Sequence, residues 1–222
     1  MRFYRPLPLL EDLTLQERLA RFHVVWSLLE AHATEHCVVV TAERVRVRPW
    51  TRPHARRSEV RPMPLTELPF GLPGRIFRSP MPFGPYDLHG DAYDCFCAEQ
   101  IAVIVLLASD AECLHKSGCH LRTLYHQAGF QVVDLPIPDF GVPARADLEQ
   151  AIQHTLAHAQ AGRHIVVHCS AGLGRTGLFL ASLAKRALGL SGAEAIQWVR
   201  QFLPQAIETP EQQRLLLHDE EA

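Results

Sequence analysis

Cys169 and Arg175 stand six residues apart in the run His168-Cys169-Ser170-Ala171-Gly172-Leu173-Gly174-Arg175-Thr176-Gly177. Cysteine is the strongest neutral-pH nucleophile among the side chains once it is a thiolate. Arginine presents a planar fork of N–H donors that grips two oxygens of an oxyanion. The residues between them are small and uncharged, so backbone N–H groups can approach an anion closely. Arg163-His164-Ile165-Val166-Val167 before the run reads as a buried strand, and Leu178-Phe179-Leu180-Ala181-Ser182-Leu183-Ala184 after it reads as a helix. A strand, a tight turn and a helix N-terminus together make an anion cradle. A cysteine at its mouth lies in positive potential, which favours the thiolate.

A thiolate that cleaves an ester also needs a proton for the leaving oxygen. Pro136-Ile137-Pro138-Asp139-Phe140-Gly141-Val142-Pro143 follows an apolar strand and sets Asp139 on a proline-stiffened loop thirty residues before the cysteine. Asp139 is the candidate general acid. Asp134 lies within the strand and Asp147 within the next helix, so both are weaker candidates. Gly172-Leu173-Gly174-Arg175-Thr176-Gly177 also fits the glycine pattern of dinucleotide folds, but no strand ending in an acidic residue follows it, and a nicotinamide enzyme is excluded. A sulfurtransferase would need neither Arg175 nor an upstream acid. A non-catalytic phosphate-binding module would not be expected to keep Cys169, Arg175 and Asp139 together.

The loop, its flanking strand and helix, and Thr176 after the arginine resemble the phosphate loop of the cysteine-dependent protein tyrosine and dual-specificity phosphatases, and the resemblance runs from about Leu65 to the C-terminus. It implies a phosphomonoester hydrolase that works through a cysteinyl-phosphate. Cys169 would be the nucleophile. Arg175 and the backbone of Ser170, Ala171, Gly172, Leu173 and Gly174 would hold the phosphate. Thr176 would hydrogen-bond the sulfur, and His168 would be pinned beneath the loop as structural support. Gln212 and Gln213 look like the glutamine that orients hydrolytic water in some members. Gln212 also completes a capping box with Thr209, and that is the reading favoured here. The loop interior carries no charge, which points to phosphoprotein (phosphotyrosine or phosphoserine/threonine) rather than inositol-lipid or other non-protein substrates. No cofactor or metal is implied.

The elements that must position these groups follow from patterning. Strands and helices alternate from Gly74-Arg75-Ile76-Phe77-Arg78-Ser79 onward. A helix over Asp91–Gln100 precedes the apolar run Ile101–Ala108. A helix over Leu121–Ala128 precedes a strand at Phe130–Leu135, and a helix over Ala146–Ala161 precedes the cysteine strand. Ser191-x-x-Glu194 and Thr209-Pro210-x-Gln212 open two further helices. The fold class is therefore α/β, with a mostly parallel sheet flanked by helices. Cys113, His115, Cys119 and His120 read as one loop. They match no zinc spacing, and Cys113 or Cys119 is a candidate partner for an oxidised Cys169.

Residues 1–60 read as an extension with a helix at 13–33 and strands at Cys37–Thr41 and Arg44–Arg48, and residues 61–222 as the catalytic domain. Pro49 to Pro85 is dense in proline and reads as irregular. Seven arginines between Arg44 and Arg61 would suit an anionic partner, although 20 of the 22 basic residues are arginine and a general compositional bias explains them as well. The net charge of −2 gives no reason to expect nucleic acid. No apolar run is long enough to span a bilayer, no secretory signal opens the chain, and a reactive thiolate suits a reducing compartment, so a cytoplasmic location is expected.

Overall fold

The computed structural model describes strand backbone at 36–41 and 44–49, and all of residues 64–217. The chain separates into two units, residues 1–60 and 61–222. In the first, β1 (His36–Thr41) and β2 (Arg44–Pro49) pair antiparallel, with Thr41 opposite Arg44 across a two-residue connection. Arg44, Arg46 and Arg48 lie on β2. The helix expected at 13–33 and the remaining arginines of the cluster lie outside the described residues.

The second unit contains a five-stranded sheet in the order β3-β4-β7-β5-β6. Its strands are β3 (Thr66–Leu68), β4 (Ile76–Ser79), β5 (Ile101–Leu106), β6 (Gln131–Asp134) and β7 (His164–His168). Only the β3–β4 pair is antiparallel; β4–β7, β7–β5 and β5–β6 are parallel. This is the expected α/β class. β3 is an addition, found inside the proline-dense stretch that reads as irregular.

Among the described residues, seven helices connect and cover the strands: α1 (Asp91–Ala98), α2 (Asp110–Ser117), α3 (Leu121–Gln127), α4 (Arg145–Gln160), α5 (Gly174–Leu188), α6 (Gly192–Phe202) and α7 (Pro210–Leu217). The caps match the sequence. Ser191 and Glu194 form a reciprocal capping box at α6, and the αL glycines Gly162 and Gly189 stand just past the ends of α4 and α5.

The sheet is buried on both faces, as a parallel sheet requires. On one face Val103, Val105, Ile165, Val167 and Cys169 pack with Leu178, Leu180, Ile152 and Ile196. On the other Ile104, Leu106 and Val166 pack with Phe77, Phe96, Leu121 and Tyr125. Each fully buried Val, Ile or Leu contributes about 1.5–3 kcal/mol over exposure. The central strands β5 and β7 are thereby fixed, and the chain leaving β7 is delivered to a rigid place.

One correction concerns α2. The stretch holding Cys113 and His115 is a helix, capped by Ser109 Oγ, which accepts from the Glu112 N–H at 3.2 Å. Cys119 and His120 follow in the short connection to α3. Cys113 and Cys119 pack in the cluster on the opposite sheet face from that of Cys169. Burial pushes the Cys113 thiol up to about 12. A side chain so placed does not suit a redox partner for Cys169. Among the described residues, no cluster of three or more His, Cys, Asp or Glu side chains is arranged to hold a metal ion.

Candidate active site

β7 ends at His168, and the chain turns through Cys169-Ser170-Ala171-Gly172-Leu173 into α5. Two close approaches hold this turn. Gly172 has φ 74°, and a Cβ there would lie 2.2 Å from the Ser79 carbonyl oxygen. Only glycine satisfies both the left-handed backbone and that contact. The Met81 N–H donates to Ser170 O at 2.8 Å, tying the turn to the segment after β4. The first turn of α5 has no side-chain cap and no acidic residue, so nothing on its own element offsets the positive end of the helix.

Cys169 is 3% exposed at the base of this cradle. Thr176 Oγ1 donates to its Sγ at 3.2 Å. His168 lies beneath, fully buried. Its Nδ1 is 3.1 Å from the Cys169 carbonyl, which can only accept, so Nδ1 carries the proton. Nε2 then accepts from the Tyr125 hydroxyl at 2.9 Å. Burial pushes His168 down to about 4, so the ring is neutral at pH 7 and supports the loop rather than shuttling protons.

Arg175 points its guanidinium away from bulk solvent, with its side chain 1% exposed. Nη1 donates to Glu112 Oε2 at 2.7 Å and to the Ile137 carbonyl at 3.1 Å. Nη2 donates to Glu112 Oε1 at 2.8 Å and meets Asp139 Oδ1 at 2.8 Å. Burial works against its charge. The Glu112 hydrogen bonds and the surrounding negative charges outweigh that and hold the guanidinium above its ordinary value.

Asp139 Oδ2 is 3.0 Å from Lys116 Nζ, which also contacts Glu112 Oε1 at 2.8 Å. The four side chains form a closed ring of alternating charge. Burial pushes the Glu112 carboxyl up, but Arg175 and Lys116 more than reverse this and hold it below its usual range.

Asp139 sits in a turn closed by the Gly141 N–H on Pro138 O at 2.9 Å, and Phe140 adopts φ 60°. A bulky residue in the left-handed region costs of order 1–3 kcal/mol and persists only where neighbours hold it. Thr209 Oγ1 donates to Phe140 O at 3.3 Å, and Gln212 Nε2 donates to Gly141 O at 3.2 Å. Gln212 Oε1 meanwhile accepts from the N–H groups of Glu208 and Thr209. The capping box expected at Thr209 is present. Gln212 is fully buried with both ends of its amide engaged, and it anchors the turn that carries Asp139. Asp134 is turned elsewhere, 2.7 Å from Arg122.

The structure thus brings Cys169, Arg175, Thr176, Asp139 and His168 together. Glu112 and Lys116 were not read from the sequence. The pattern Ser109-x-x-Glu112, the same as at Ser191, was the available signal for the helix that carries them.

A buried thiol, an arginine six residues on, and a carboxylate delivered by a separate loop meet at one end of a doubly covered, mostly parallel sheet. Comparison with known proteins agrees. Residues 86–187 match the family model described as "Polymorphic toxin system, DSP-PTPase phosphatase". A mutant form of Tk-PTP is 31% identical with a TM-score of 0.54, covering 64% of this chain and 87% of that one. Kinase associated phosphatase with its catalytic-site cysteine substituted by serine has a TM-score of 0.64 at 23% identity, covering 72% of this chain and 95% of that one. Dual specificity protein phosphatase CDC14B of Mus musculus is 33% identical over 93 residues, 42% of this chain and 19% of that protein. The chain spans 55% or less of the length of the first curated relatives it matches. The chain belongs to the cysteine-dependent protein tyrosine phosphatase superfamily, as a small dual-specificity-phosphatase-like member.

Proposed function

We propose that residues 61–222 hydrolyse phosphomonoesters on proteins through a cysteinyl-phosphate. The observation that carries the reading is the meeting of three side chains from two loops. Cys169 lies in the cradle, Arg175 opens α5, and Asp139 touches Arg175 at 2.8 Å. In the first step the Cys169 thiolate attacks phosphorus and an S–P bond forms as the P–O ester bond breaks. The leaving oxygen takes its proton from Asp139. Arg175 and the N–H groups from Ser170 to Arg175 hold the equatorial oxygens. In the second step water attacks phosphorus, Asp139 takes the proton, the S–P bond breaks, and thiolate and inorganic phosphate result. Thr176 stabilises the departing sulfur.

The uncharged residues from Ser170 to Gly174 support a phosphoprotein substrate, since they offer no cation for the additional phosphates of an inositol lipid. Nucleic acid is not an expected partner. Among the described residues, no helix is long and apolar enough to cross a membrane. A reactive thiolate favours a reducing compartment, which supports a cytoplasmic location.

The test is hydrolysis of p-nitrophenyl phosphate with and without vanadate, in the wild type and in Cys169→Ser. Vanadate-sensitive turnover that disappears in Cys169→Ser is expected, and turnover that survives the substitution overturns the mechanism. A panel of phosphopeptides and phosphoinositides then tests the substrate class, with preferential release from phosphoinositides as the contrary result.

A further inference from the structure

Between α6 and α7 the chain runs back across the start of α5. Gly174 and Gly177 stand one turn apart on the same side of α5, and their lack of side chains lets this segment approach. A Cβ at Gly177 would lie 2.6 Å from the Ala206 Cβ, and one at Gly174 would lie 2.1 Å from Glu208 Oε2. Ile207, between the two contacts, is buried and has φ 62°. A β-branched residue in the left-handed region is strained and persists only where its neighbours fix it. Arg200 of α6 does so from one side, donating from Nε to Ala206 O and from Nη2 to Ile207 O, both at 3.2 Å. Gln212 does so from the other, its Oε1 accepting from the Glu208 N–H at 2.9 Å.

The backbone clamped in this way sets one carboxylate at the mouth of the cradle. Gly174 is buried and Glu208 is exposed, so the Glu208 side chain covers the loop from the solvent side. The next residue, Thr209, bonds Phe140 O beside Asp139. Glu208 thus lies between the two loops that supply Cys169 and Asp139. The ion pairs of the site join Arg175 and Lys116 to Glu112 and Asp139, two cations against two anions, and none of them includes Glu208. Its charge faces the water through which a bound chain must pass.

We infer that Glu208 is a specificity-determining residue. It selects phosphorylated segments with a lysine or arginine beside the phosphorylated residue over those with an acid there. This rests on the proposed binding of a phosphoprotein segment in the cradle. A single exposed charge pair changes an affinity several-fold, so exchanging a flanking lysine for a glutamate should change it by about tenfold at low salt.

The test is fluorescence anisotropy with two phosphotyrosine peptides that differ only in the flanking residues, lysine in one and glutamate in the other. The full-length Cys169→Ser protein is used, so that binding is read without turnover. It should hold the lysine peptide about tenfold more tightly in about 0.05 M salt, and the ratio should shrink in about 0.5 M salt. Adding Glu208→Gln should remove most of this preference, whereas Glu208→Asp keeps the charge and should keep the preference. Equal affinities at low salt, or a ratio that survives Glu208→Gln, overturn the inference, as does a preference lost equally in Glu208→Asp or the binding of neither peptide. The dissociation constants are read without any ester being cleaved. Their result is therefore separate from that of the p-nitrophenyl phosphate assay, whose substrate has no flanking residues.

Discussion

His168 ties the phosphate loop to the core, and its burial makes the stability of the whole unit depend on pH. The ring is neutral in the fold, with Nδ1–H on the Cys169 carbonyl and Nε2 accepting from Tyr125. Its value falls from 6.5 to about 4 on folding. The unfolded chain therefore binds a proton at a pH where the folded chain does not. The stabilisation is fully present above 6.5 and is lost as pH falls toward 4. Linkage gives about 2 kcal/mol lost by pH 5 and about 3 kcal/mol by pH 4, at about 1.4 kcal/mol per pH unit. Ordinary carboxyl groups titrate below this window, and histidine is the side chain whose ordinary value falls within it. His158, also lowered by burial and by Arg163, is half-buried and contributes in the same direction. The assay is urea unfolding followed by circular dichroism at about pH 7.5, 6 and 5, on the wild type and on His168→Gln. The wild type should lose about 2 kcal/mol between the extremes, while His168→Gln should be less stable at neutral pH and nearly flat below it. Equal wild-type stability at both ends, or the same slope in His168→Gln, would refute the account.

Four further outcomes follow from the site. Asp139→Asn should lower kcat on peptide phosphates by roughly 10²–10⁴, and unchanged kcat would mean that another group donates the proton. Glu112→Gln leaves Arg175 short of its two-point partner and should cost about 3–5 kcal/mol in urea unfolding. It should also remove stability that the wild type holds above about pH 4.5 and loses as pH falls through the depressed Glu112 value, so the acid limbs of the two proteins should converge. Gly172→Ala forces a Cβ against the Ser79 carbonyl, and turnover should fall by at least about tenfold, the equivalent of roughly 1.4 kcal/mol at the loop. Gln212→Ala frees the Gly141 carbonyl and should lower kcat more than it raises KM in steady-state assays, because the acid turn loses its anchor.

What the sequence disclosed was whatever has a local signature. The apolar run at Ile101 and the flanks of Cys169 placed β5, β7 and α5, and Ser191 with Glu194 placed α6. Asp139 was legible from its prolines and from its distance to the cysteine. The short β3 was hidden because three residues between prolines show no periodicity. α2 has few apolar residues to mark a face, so its Ser109 cap went unread, and with it Glu112 and Lys116. Their part in the site depends on contacts across 63 and 23 residues of chain, which no local pattern reports.

The ring of Arg175, Glu112, Lys116 and Asp139 changes what it means for a ligand to enter. Both Nη groups of Arg175 are engaged, by hydrogen bonds to Glu112 and the Ile137 carbonyl and by the ion pair with Asp139. An arriving dianion does not find a waiting cation; it trades places with a carboxylate. Affinity for a phosphate group is then a difference between two anions rather than the worth of one, and inorganic phosphate, the product in the proposed reaction, would be held less firmly than by an unpaired arginine. The more exposed of the two carboxylates is Asp139, the group that would protonate the leaving oxygen in the proposed mechanism. Occupancy of the cradle and release of the acid are in this way a single exchange, so a ligand too poor in charge to claim Arg175 leaves the acid docked.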